Sequence, residues 1–487
     1  MHPSSSGPRP ADPVLVGAGT ASSSAPVAEL MTQAALSAAA DAGVPSLLGR
    51  VQRIGVPQGS WQLLDPGRSV AQRIGATEAR SIRFEIGVSQ QEIINDALAA
   101  IAGGQADVVL VVGGEARAFD RDGGQQIDDA SRPPDQIVTR PPDFIAPVEI
   151  GAGLVWPVVQ EYALIENALA QAEGLGATAQ AADIARLWAR FNQVARTNPA
   201  AAFGRPMDAS AIATPGPKNR PLSSPYNRWH STQWTVDQAG ALLFCSTEVA
   251  RHTGVAPDRW VFPHVALHSS QAITLAARRH LHRWPAMAVL GRAAAHHLGR
   301  PLREIELAEI YSCFPAAVRV QQRELELDLD GTPTITGGMA FAGGPFNNFV
   351  FQSTAAMVGR LRQDPGQLGL VTTVSGMLSK PGLAVWSAQP PAGPALIADL
   401  GAEGTEATAT APVAELNAPA TEATVVSSTV TFEETEPWQP TRVAVVLDRS
   451  DGTRTAAACV DADFARRCLT ENLIGQRVRV EDTTFTP

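Results

Sequence analysis

Residues 88–115 read "VSQQEIINDALAAIAGGQADVVLVVGGE". The first eighteen carry apolar residues at helical spacing and predict a helix. "ADVVLVVGGE" is a continuous apolar run and predicts a buried strand. Residues 347–377 repeat this order, with "NNFVFQSTAAMVGRLRQ" as a helix and "GLVTTVSGM" as a buried strand.

The pattern extends outward in both directions. "DPVLVGAGTAS" (12–22) predicts a strand, "VAELMTQAALSAAADAGV" (27–44) an Ala-rich helix ending at Gly43, and "VQRIGVPQ" (51–58) a strand. Later, "AMAVLGRAAAHHLGRPLREIELAEIYSC" (286–313) again gives a helix and then a strand. Matching elements lie about 256 to 261 residues apart, so the chain reads as a duplicated α/β unit. Buried strands alternating with helices predict sheets covered on both faces.

Residues 121–235 interrupt the repeat. A polar, proline-rich stretch is followed by two amphipathic helices, around 156–174 and 181–198, which predicts an inserted loop domain over one end of a sheet. The halves are then 12–120 and 236–400. Residues 401–420 read as an Ala/Thr/Pro-rich linker. Residues 421–487 hold short β patterns and a hairpin signal at "SDG" (450–452), which predicts a small antiparallel barrel of oligonucleotide-binding size.

Composition narrows the function. The chain has 487 residues, 45% of them apolar, and a net charge of −10. That charge argues against nucleic-acid and anionic-membrane partners. Residues 414–487 carry 12 Asp/Glu against 7 Arg and no Lys, so the barrel is expected to face a protein partner or to be structural. No apolar run reaches the length of a membrane span. "MHPSSSGPRPADP" has no apolar signal core and reads as a disordered lead-in. Four scattered cysteines and nine scattered histidines form no disulfide framework or metal site, and a reducing cytoplasm is the expected location.

The ordered segments resemble the thiolase superfamily. "INDALAAIAGGQADVVLVVGGE" resembles the segment after the nucleophile, and "VDQAGALLFCSTEVARHTGV" (236–255) the start of the second half. "ELAEIYSCFPAA" (306–317) and "GGMAFAGGPFNNF" (337–349) resemble two catalytic segments of sterol-carrier-type thiolases. With the β-domain added, the chain is most similar to the actinobacterial thiolase-like proteins of type 1. The resemblance implies a five-layer αβαβα fold, a CoA thioester as ligand or substrate, no required cofactor, and a dimer through a sheet edge as one assembly option.

It also implies a site, and the residues depart from it. The nucleophilic cysteine's place falls on Gly87, the histidine of the Gly-His-Pro loop on Gly344, and the second cysteine on Val374, with Gly376 keeping the Cys-x-Gly pattern. Ser89, Cys313, Gly343 and Ser375 are the expected pocket neighbours. Losing a nucleophile that works within a unit costs on the order of 10⁶ in rate, so ordinary thiolysis is not expected. Three readings stay open: an acyl-CoA binder in lipid or sterol metabolism, a retro-aldolase or atypical acyltransferase using Tyr311 as acid–base group, and a structural partner subunit. "GGPFNN" is either a set of tight turns or a phosphate cradle. In "SPYNRWH" (224–230), Tyr226, Arg228 and His230 either meet the CoA end of a ligand or pack the loop domain.

Overall fold

The computed structural model describes residues 8–140, 145–155 and 157–486. Most of the expected N-terminal lead-in and the end of the proline-rich stretch (141–144) lie outside the described residues.

The first sheet runs, edge to edge, Pro13–Ala21, Asp237–Ser246, Val108–Ala116, Arg53–Pro57, Arg80–Phe84 and Gln136–Val138. The second runs Leu307–Glu309, Leu368–Ser375, Lys380–Ser387, Phe262–His268 and Leu396–Asp399. Between the sheets lie two helices, Gln90–Ala102 and Phe349–Gln363, each packed on strands of both sheets. Outside the first sheet are Val27–Asp41 and Pro66–Arg73, and outside the second Pro285–Leu298. This is the five-layer αβαβα order.

The strand Val108–Ala116 shows why its sequence is apolar throughout. Val109 and Val111 share a core with Ile93, Ala97 and Leu98 of the central helix. Val108, Leu110 and Val112 point the other way, into the core under Val27–Asp41. Alternate side chains of a strand face opposite sides, so a strand covered on both faces is apolar at every position.

Two expected boundaries move. Asp237–Ser246 does not start the second half. It pairs antiparallel with both Pro13–Ala21 and Val108–Ala116 and completes the first sheet. An apolar run announces a buried strand but not its sheet. The insertion therefore sits between two adjacent strands, where the second half has only the short hairpin Leu368–Ser375 to Lys380–Ser387. The stretch 401–420 is no free linker either. Gly401–Ala407 is a helix packed on Pro285–Leu298, and Ala411 N donates to Ala277 O at 2.8 Å.

The C-terminal strands Thr421–Phe432, Pro440–Arg449, Arg454–Cys459, Arg477–Glu481 and Thr484–Thr486 close into a five-stranded barrel with its own core. One contact, Ala458 with Thr484, is parallel, so the barrel is not purely antiparallel. It rests on the insertion helix Val159–Ala172, where Asn167 Nδ2 donates to Ser428 O at 2.8 Å and Ser427 Oγ to Leu164 O at 2.6 Å. Thr431 pairs with Ser223, which extends the barrel sheet by the ribbon Pro221–Asn227.

Candidate functional site between the two halves

The N-termini of the two central helices meet. Ser89 is the N-cap of Gln90–Ala102, and its Oγ accepts from Glu92 N at 3.2 Å. Gln90 Oε1 accepts from Val350 N at 2.7 Å, in the first turn of the other helix. Each free helix N–H attracts an acceptor. Ser89 is therefore a buried cap, its hydroxyl committed to the backbone.

Gly87 precedes this cap with φ +106°, a region open to glycine and strained for other residues. Lys380 Nζ donates to Gly87 O at 2.8 Å and lies 3.6 Å from where a β-carbon at position 87 would stand. Val374 and Ser375 end the strand Leu368–Ser375, Gly376 opens the hairpin turn, and Lys380 follows it with Ser375 as its direct strand partner. The two halves thus bring the expected nucleophile and second-cysteine positions side by side, with a buried ammonium between them. Sequence reasoning passed over Lys380, although it is one of only two lysines in the chain and stands in an apolar stretch.

The glycine loop is packed solid. A β-carbon at Gly344 would lie 2.1 Å from Thr232 Cγ2, and one at Gly337 2.3 Å from Ala195 Cβ. Gly343 has Gln238 against it in the same way. The loop's N–H groups are spent internally: Gly337 on Thr334 Oγ1, Gly338 on Thr336 Oγ1, Met339 on Ser312 Oγ and Gly344 on Gln233 O. Within GGPFNN itself, Gly344 N, Phe346 N and Asn348 N donate to Gln233 O, Gly344 O and Pro345 O. Buried Glu309 anchors the segment, accepting from Thr334 Oγ1, Ile335 N and both N–H and O–H of Thr336. Burial pushes its carboxyl up to about 7 against these donors.

Tyr311 sits against the central helices, edge-on to Phe349 with ring centroids 6.0 Å apart. Burial raises its hydroxyl well above the ordinary tyrosine value, and Gln90 opposes the rise. Cys313 is likewise buried, its thiol pushed up to about 12, with Tyr162 as hydrogen-bond partner. Neither group is poised as an anion at neutral pH.

Further residues complete the polar interior. Arg278 donates through Nη2 to Met377 O in the hairpin turn. Glu149 and Glu161 act on Arg278 electrostatically. Both Glu161 oxygens, and Nε and Nη1 of Arg278, lack hydrogen-bond partners among the described residues. Burial raises the Glu161 pKa strongly, and the Glu149 charge adds to the rise. Nothing local in the sequence marks these residues; they converge from the insertion and the second half.

The loop-domain candidates separate. Tyr226 is buried, donates to Glu166 Oε2 at 2.7 Å and accepts from Ala316 N at 3.1 Å. His230 is buried, its Nδ1 accepts from Asn227 N at 2.9 Å, and desolvation drops its pKa to about 3. Both pack the domain and offer no face to a ligand. Arg228 is exposed, with Nε 3.4 Å from Gln233 Oε1.

Two cavities adjoin the second half. One, of about 320 Å³, has walls that include Arg278, His280, Arg283, Trp284, Arg292 and Leu378. The other includes Arg251, Trp260 and Arg362. Neither is lined by Gly87, Ser89 or Tyr311. The first cavity reaches the hairpin turn beside the thiolase-type position through Leu378. Among the described residues no three His, Cys, Asp or Glu side chains gather as a metal would require, and no helix is long and apolar enough to cross a membrane.

No family model matches the sequence, and no curated protein does. Solved structures do match. A monomeric SCP2-thiolase-like protein type 1 from Mycobacterium smegmatis is 27% identical with a TM-score of 0.83, over 99% of this chain and 100% of that one. The chain belongs to the thiolase superfamily. Over its whole length it is similar to the sterol-carrier-type, type 1 thiolase-like kind, with the β-barrel in the same chain. Other thiolase-fold structures align less completely. An Ltp2-ChsH2(DUF35) aldolase is 20% identical with a TM-score of 0.57, covering 78% of this chain and 99% of that one. The dimeric peroxisomal thiolase of Saccharomyces cerevisiae is 15% identical with a TM-score of 0.55, covering 78% and 98%. At those identities the likeness is one of fold.

Proposed function

We propose that this thiolase-like chain binds an acyl-CoA or a related lipid thioester in lipid or sterol metabolism, without the cysteine-based acyl transfer of thiolases. The observation that carries the reading is the surroundings of Gly87. The position expected for the nucleophile has no side chain, a backbone angle that disfavours one, and the Lys380 ammonium beside it. The position expected for the activating histidine is Gly344, whose side-chain space Thr232 fills. Loss of both partners removes far more rate than backbone oxyanion stabilisation restores. What remains is a polar interior between the halves and a ligand-sized cavity beside it.

Calorimetric titration with CoA and acyl-CoAs of increasing length tests the reading. Micromolar binding that tightens with chain length, with no covalent acyl adduct by intact mass, is the expected result. A stable adduct, or no heat and no thermal stabilisation at millimolar ligand, overturns it.

A tyrosine-assisted retro-aldolase or atypical acyltransferase is the second reading, because Tyr311 stands in the expected site. Its raised pKa favours a hydrogen-bond donor over a base. Tyr311→Phe separates the two: an aldolase loses turnover and keeps ligand affinity, and a binder is unaffected. A structural partner subunit, meeting its partner through the barrel, predicts no CoA affinity at all.

A further inference from the structure

The cavity beside the hairpin turn has an unusual electrostatic character for this protein. Arg278, His280, Arg283 and Arg292 line it, and none of its lining residues is acidic. The chain as a whole carries a net charge of −10, so a polyanion is repelled by most of the surface and admitted only where positive charge is concentrated. Arg283 is paired with Glu324 at 2.6 Å, and Arg278 is balanced from behind by buried Glu149 and Glu161. His280 and Arg292 are exposed and enter no ion pair among the described residues. Ile273, Trp284 and Leu378 add apolar wall for the organic part of a ligand.

One turn connects this cavity to the interior site. Leu378 lines the cavity. Ser379 Oγ accepts from Ile273 N at 2.9 Å, and Ser379 O accepts from Trp284 Nε1 at 3.3 Å. The next residue, Lys380, holds Gly87 O. Meanwhile Tyr226 and His230 of the loop domain are packed away, so they supply no cradle for a ligand's charged end.

We propose that this arginine-walled cavity is the anion site that takes the phosphate-bearing end of a CoA-type ligand, with the thioester arm running past the hairpin turn towards Gly87. The inference rests on the acyl-CoA reading above and adds where the charge is held. Arg292 supplies an unpaired guanidinium and His280 an exposed imidazole, and phosphate oxygens are the acceptors that match their N–H donors.

The full-length chain is titrated calorimetrically with acyl-CoA, the corresponding acyl-pantetheine and ADP, as wild type, Arg292→Glu and His280→Glu. Both positions are exposed, and circular dichroism of each variant checks the fold, so one variant serves if the other fails. Expected is a loss of acyl-CoA affinity of about tenfold or more in each variant, with acyl-pantetheine affinity unchanged and the wild-type affinity falling with salt. Wild-type acyl-CoA affinity in both folded variants overturns the placement and leaves the acyl-CoA reading standing. ADP binding lost in the variants, with no acyl-CoA or acyl-pantetheine binding to the wild type, overturns the thioester assignment. Binding of none of the three overturns both.

Discussion

Thr232 occupies the volume that a side chain at Gly344 needs, its Cγ2 lying 2.1 Å from the β-carbon position there. Thr232 is fixed in turn, since its N and Oγ1 both donate to Cys313 O, at 3.0 and 3.1 Å. The space beside Gly344 is therefore filled by a side chain that is itself held in place. Gly344→His is expected to destabilise the fold by about 1–3 kcal/mol through overpacking, and to produce no thiolysis. Urea denaturation of the variant, and of Gly344→His combined with Thr232→Gly, checks this. Recovery of stability in the double variant is the expected signature.

Tyr226 joins two chain segments through one hydroxyl, which donates to Glu166 and accepts from Ala316 N. Tyr226→Phe leaves that N–H without its acceptor at the start of helix Pro315–Glu324. A loss of about 1–3 kcal/mol is expected. Affinity for acyl-CoA stays at the wild-type value, because the residue packs the domain and does not touch ligand. A variant that keeps its stability and loses affinity contradicts this placement.

Glu309 makes stability depend on pH. Its carboxyl is raised from 4.5 to about 7 in the fold by burial. The folded chain therefore holds a proton that the unfolded chain releases, and only between those two values. Stability from this group is full below about pH 4.5 and declines as pH rises through about 7. The change across the window is about 3 kcal/mol. Chemical denaturation at several pH values, compared with Glu309→Gln, isolates the effect: the wild-type curve falls relative to the variant between pH 5 and 7 and runs parallel above.

Gly87→Cys places a thiol beside the Lys380 ammonium. The positive charge is expected to lower the thiol's pKa below the ordinary cysteine value, and the left-handed backbone to cost about 1–3 kcal/mol. Alkylation rates measured against pH, with the single variant compared to Gly87→Cys plus Lys380→Met, check it. The alkylation midpoint moves up when the lysine is removed.

Much of this architecture is legible in the sequence because it is local and periodic. The helices at 90 and 349, and the strands at 108 and 368, each announce themselves by spacing, and their repeated order gives the duplication. Asp237–Ser246 is equally plain as a strand, yet its pairing with residues 13–21 is a contact across the chain that periodicity does not carry. The strap after residue 400 reads as a linker since its Ala and Thr residues are common to linkers and to helices packed against small side chains such as Ala286. The site follows the same division. Gly87, Gly344 and Val374 are found by counting along resembling segments. Lys380, Glu161 and Arg278 owe their burial to three different regions of the chain, and Tyr226 and His230 look available only until the fold covers them.

The ribbon Pro221–Asn227 has a consequence for synthesis. It leaves the ribosome long before Thr429–Thr431, the residues that give it a sheet to join. The first sheet faces a similar delay, because Pro13–Ala21 must await Asp237–Ser246. Translation therefore exposes unpaired strand edges at both places, and the insertion commits to its final packing only once Thr429–Thr431 have emerged. Pausing or premature termination before Thr431 leaves a body whose loop domain is still searching for its lid.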